Sequence, residues 1–94
     1  MTTASLRVVV VDDEQLAREE LCYQLEQVGD VDVVGQAADG IDAVSAVERS
    51  APDLVFLDVQ MPGLNGFEVA RRLLALDEPP AVVFVTAFDR HALE

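Results

Sequence analysis

Four short apolar runs recur along this chain, at Leu6–Val11 (LRVVVV), Val31–Ala37 (VDVVGQA), residues 53–57 (DLVFL) and Ala81–Val85 (AVVFV), with a longer stretch of helical periodicity between each pair. The first run is short, apolar and β-branched, the signature of a strand covered on both faces. Strands that alternate with helices at this spacing predict βαβ units, right-handed crossovers and a parallel sheet. The fold class is therefore α/β, and the 94 residues fit one domain. The second run is less apolar and interrupted by Gly35, which predicts a place at the sheet edge.

The intervening stretches supply the helices. Residues 14–28 place Ala17, Leu21, Leu25 and Val28 on one stripe, and Gly29-Asp30 ends it. Asp39-Gly40 opens a second helix with Ile41, Val44, Val47 and Ala51 inward, stopped by Pro52. Asn65 caps a third, with Glu68 at the capping-box position and Phe67, Ala70, Leu73 and Leu74 toward the core. DEPP at residues 77–80 terminates it, and residues 89–94 read as the first turns of a further helix.

In open α/β sheets, ligands bind beyond the carboxyl ends of the strands. Strand one runs straight into Asp12-Asp13-Glu14, strand three into Asp58 and strand four into Thr86, whereas strand two ends in Ala37-Ala38. Taken singly, each has a plain structural explanation: first-turn acids favoured by a helix dipole, a turn residue before Pro62-Gly63, a strand-end hydroxyl. Their joint placement as the first polar side chains after buried strands sets them apart. If strands one, three and four are neighbours, three carboxylates converge and repel, and a divalent cation relieves that repulsion. Hard oxygen ligands, with no His or Cys at ligand spacing, suit Mg²⁺ or Mn²⁺ better than Zn²⁺. A carboxylate beside such an ion can attack a phosphoryl group. Asp58, alone at a strand end before an open loop, is the candidate nucleophile; Asp12 and Asp13 are the candidate metal ligands, and Thr86 a candidate donor to the phosphoryl oxygen.

Composition narrows the partners. Eighteen acidic residues face six arginines and no lysine, for a net charge of −12, which argues against nucleic-acid binding by this segment. The single Cys22 suits a reducing cytosol, no apolar run reaches membrane-spanning length, and residues 1–7 carry no signal-peptide core, so the expected location is cytoplasmic.

The stretches VVVVDDE, VVGQAADGIDAV, PDLVFLDVQMPGLNGFEVA and VVFVTAFD together resemble the receiver domain of bacterial two-component response regulators, nearly end to end. The closing FVTAFDRHALE and the LAREEL after the acidic triplet are most similar to the LytTR (LytR/AlgR-type) subfamily. The resemblance implies a flavodoxin-like (CheY-like) doubly wound sheet of order 2-1-3-4. It also implies phosphorylation of Asp58 by a sensor histidine kinase, with Mg²⁺ (or Mn²⁺) arranged by Asp12, Asp13, Asp58 and the Gln60 backbone carbonyl. Thr86 would turn toward the phosphorylated site, and the small Ala87 would leave that site accessible.

The family pattern continues with a fifth strand, a fifth helix and a lysine just after that strand. Residues 1–94 therefore read as a truncated receiver domain, from the first strand to the start of the fourth helix, without that cation. DNA contact would then belong to a further C-terminal domain. An exposed strand-four edge or the neighbouring helical face would favour self-association or a homodimer. Two other readings stay open: a phosphate-independent dimerisation or scaffold module, and a haloacid-dehalogenase-like Mg²⁺-dependent phosphatase, although that family resembles D-x-D after its first strand.

Overall fold

The computed structural model describes residues 5–59, 61 and 65–85. Strand β1 (Leu6–Val11) is followed by helix α1 (Gln15–Val28), β2 (Val31–Ala37), α2 (Gly40–Ser50), β3 (Leu54–Asp58), α3 (Gly66–Leu74) and β4 (Ala81–Val85). The sheet has the order β2-β1-β3-β4, with every neighbouring pair parallel. The chain steps outward from β1 to β2, then crosses back past β1 to β3 and β4. Right-handed crossovers in opposite directions put α1 on one face and α2 with α3 on the other.

Alternation along the strands assigns the two faces. Val9, Val11, Val55 and Leu57 pack with Ala43, Ala46, Val47, Val69, Ala70 and Leu73 into the main core. Leu57 and Leu73 are fully buried, and each such side chain contributes about 1.5–3 kcal/mol. Val8 and Val10 point the other way and are equally buried, on the side where α1 contacts β1 and β2. Strand β2 lies at the edge, as its glycine suggests. Its register slips there, because Val8 pairs with Val33 while Val9 pairs with Gly35, leaving Val34 as the extra residue.

Element boundaries differ slightly from expectation. Helix α1 starts at Gln15, with Glu14 as its N-cap residue. Strand β3 starts one residue later than its apolar run and includes Asp58; Asp53, just before it, accepts a bond from the Arg7 N–H at 2.9 Å. The caps of α2 and α3 form as expected: Asp39 accepts from Asp42 N at 2.8 Å, and Asn65 from Glu68 N at 2.9 Å.

The helix faces need correction. Ile41, Phe67, Leu74 and Val28 are 57–73 % exposed, not inward. On α2 the buried residues are Gly40, Ala43, Ala46 and Val47, and on α3 they are Gly66, Val69, Ala70 and Leu73. Ala51 is exposed as the left-handed C-cap of α2, with φ of 46°. Ala43, Ala46 and the larger Val47 of α2 join the core, with Val44 packed against it, while Ile41 falls on the outer flank. Phe67 lies at the flank of α3, its ring 4.9 Å from that of Phe84 on β4.

Candidate functional site

The carboxyl ends of β1 and β3 lie side by side, since the two strands pair through Val11 and Leu57. The next residues out are Asp12 and Asp58, with Asp13 following. These three carboxylates offer ligand oxygens that all lie within 4.8 Å of one another, the only such grouping among the described residues. Asp12 and Asp58 are half-buried and Asp13 is exposed.

Local structure places the backbone at Asp12 and at Asp58. Asp12 donates its N–H to Ala37 O at 3.1 Å, continuing the pairing with β2 by one residue. One of its carboxylate oxygens, Oδ1, accepts from Glu14 N at 2.9 Å and so closes a tight turn into α1. Asp58 ends the pairing of β3 with β4, opposite Val85. The chain then bends at Val59, whose carbonyl accepts from Gly66 N at 2.9 Å, and Met61 is buried in the core. Gly66 is required at that bend, because a Cβ there would stand 2.5 Å from Asp58 O and 2.8 Å from Val59 Cα.

The set is all oxygen and all anionic. Such donors fit a hard divalent cation of the Mg²⁺ or Mn²⁺ type, which is held by few carboxylates and keeps several waters. Gathering three unit charges this closely opposes folding unless a cation or other donors offset it. Of the residues marked out by sequence, Asp12, Asp13 and Asp58 are brought together as anticipated; Gln60, Thr86 and Ala87 lie outside the described residues.

Sequence reasoning missed three contributors. Gly66 is one. The others are Arg18 and Gln36: the Arg18 guanidinium donates from Nη1 to Asp12 O at 2.9 Å and from Nε to Gln36 Oε1 at 3.1 Å. Only the folded sheet places the end of β2 beside that of β1, so spacing alone gives no signal for this bridge. Cys22, one turn further along α1, is buried. Burial first, then the Glu26 carboxylate and more weakly that of Glu19, push its thiol above the ordinary value against the pull of Arg18. A thiol held protonated is inert as a nucleophile near neutral pH.

Comparison with known proteins accords with this geometry. Residues 8–93 match the response regulator receiver domain family. The sensory transduction protein LytT of Bacillus cereus is 49% identical over 89 residues, covering 95% of this chain and 36% of the relative. The transcriptional regulatory protein BtsR of Salmonella typhi is 42% identical, covering 95% of this chain and 37% of its own length. The chain thus spans little more than a third of these relatives. Among solved structures, the signal receiver domain of the response regulator NarL from Mycobacterium tuberculosis superposes with a TM-score of 0.85 at 37% identity, over 97% of this chain and 73% of that one. The response regulator domain of Thermotoga maritima CheB gives 0.79 at 35%, over 87% and 60%. Sheet order, acidic rim and sequence agree: this chain belongs to the receiver domains of two-component response regulators, in the company of the LytT proteins.

Proposed function

We propose that Asp58 is the phosphoacceptor of this receiver domain and that Asp12, Asp13 and Asp58 hold the divalent cation that phosphorylation needs. The observation that carries this reading is the convergence of the three carboxylates, within 4.8 Å, at the carboxyl rim of a parallel sheet. Asp58 terminates its strand on the loop side, and Asp12, adjacent to Asp13, accepts from Glu14 N at the start of α1. That division suits Asp58 to attack and the pair to coordinate. One Asp58 carboxylate oxygen forms the new O–P bond as the donor's P–N bond breaks, and the departing imidazole nitrogen takes up a proton. Bound among these oxygens, Mg²⁺ would neutralise charge on the phosphoryl group. The donor class is the phosphohistidine of a sensor kinase, and the domain acts as a switch without turning over an external substrate.

The test is intact mass after incubation with Mg²⁺ and acetyl phosphate. The wild-type chain gains one phosphoryl group; Asp58→Asn gains none, and chelation of Mg²⁺ abolishes the gain. An adduct that persists in Asp58→Asn would overturn the assignment.

The setting follows from the same reading. No helix among the described residues is long and apolar enough to cross a membrane, which accords with a cytoplasmic partner for a kinase. The name of BtsR supports an output in transcription, carried by residues other than these. At the edge of the described sheet, β4 leaves Val83 and Phe84 39 % and 41 % exposed, which supports pairing of two copies along that strand. Sedimentation at tens of micromolar should show a dimer, and a clean monomer would contradict that assembly.

A further inference from the structure

Arg18 stands in the first turn of α1, yet its side chain reaches back six residues to the strand it follows. Its Nη1 donates to the Asp12 carbonyl at 2.9 Å in a partly buried contact, and its Nε to Gln36 Oε1 at 3.1 Å, near the end of β2. One planar, rigid group therefore joins α1, β1 and β2. Arg18 takes the Asp12 C=O, while the Asp12 N–H is held separately by Ala37 O and its Oδ1 by Glu14 N.

We propose that Arg18, braced by Gln36, is a positioning residue that holds the end of β1 where Asp12 and Asp13 can share a cation with Asp58. This inference rests on the cation-site reading above. The geometry makes a prediction that charge alone would reverse. A fixed positive group beside the site repels a divalent ion, so removing it should tighten binding if charge were its only role. If Arg18 acts by positioning, removing it loosens Asp12 and weakens binding.

The experiment is Mn²⁺ binding to the chain, read from loss of the free-ion electron paramagnetic resonance signal. Arg18→Ala should weaken Mn²⁺ binding roughly tenfold, the lower end of what the outer partners of metal ligands contribute. Arg18→Lys keeps the charge but cannot span both acceptors, so it should remain weakened; Gln36→Ala should lose less. Circular dichroism melts without Mn²⁺ separate the roles, because a merely structural contact lowers the midpoint and leaves affinity unchanged. Should Arg18→Ala fold poorly, the affinities of Arg18→Lys and Gln36→Ala decide between positioning and charge. Affinity that is unchanged or tighter in Arg18→Ala, or fully wild-type in Arg18→Lys, would overturn the clamp. If the wild-type chain binds no Mn²⁺, or Asp13→Ala binds it equally well, the cation site itself fails, and the clamp with it. Binding that needs Asp13 but ignores Arg18 and Gln36 refutes the clamp alone.

Discussion

Asp53 precedes β3 and Asp58 ends it, yet the two acids meet different surroundings. At the amino end, Asp53 exchanges two bonds with the Arg7 backbone: its carboxylate accepts at 2.9 Å, and its own N–H donates at 2.8 Å. Its carbonyl receives Ala81 N at 3.0 Å, and Arg7 Nη1 donates to Ala51 O at 3.2 Å, so acid, arginine and helix end lock three strands together. At the carboxyl end, Asp58 is gathered against Asp12 and Asp13. There Arg18 donates to the Asp12 carbonyl, as Arg7 does to that of Ala51 at the other end. At the amino rim the single carboxylate of Asp53 ties β3 to β1. The carboxyl rim keeps like charges together, as the proposed cation site requires.

Substitutions can break or sharpen this contrast. The largest effect is expected at Gly66. Its missing Cβ lets the chain pass against Asp58 O and Val59 Cα, and an added methyl would meet them at 2.5 and 2.8 Å. Gly66→Ala should lower stability by about 2–3 kcal/mol in urea unfolding, the upper range for overpacking. Gly35→Ala is the control: its nearest neighbour, Val9 Cγ2, would lie at an ordinary 3.5 Å. That change should stay within about 0.5–1 kcal/mol. Equal losses at the two glycines would refute the tight bend as the device that places Asp58. Next comes Asp53→Ala, which removes an exposed cross-strand bond and should cost about 1 kcal/mol with or without Mg²⁺. A Mg²⁺-dependent loss there would erase the distinction between the rims.

Much of this was legible in the sequence because it depended on order alone. Four apolar runs gave four strands; Gly35 marked the edge strand; the first polar residue after each buried run located Asp12 and Asp58. Helix phase was less legible. Ile41 and Phe67 have the hydrophobicity of core residues, but on α2 it is Ala43, Ala46 and Val47 that meet the core. On α3, Phe67 finds a partner in Phe84 at the flank. Which flank of a helix meets the sheet is a tertiary fact that periodicity does not carry. The same holds for Arg18, which looks like one more solvated helix charge until β2 brings Gln36 alongside.

The central claim is that the carboxyl rim is held at a cost which a divalent cation reverses. Thermal melts of the wild-type chain and Asp13→Asn, each with chelator and with Mg²⁺, test it most directly. Without the ion, Asp13→Asn should be the more stable by a few tenths to about 1 kcal/mol, since it removes one of three mutually repelling and partly screened charges. With Mg²⁺ at about ten times its dissociation constant, the wild type gains about 1.4 kcal/mol that the variant largely lacks, and the order reverses. If Asp13→Asn is destabilised equally in both conditions, the three carboxylates are structural caps and not a cation site.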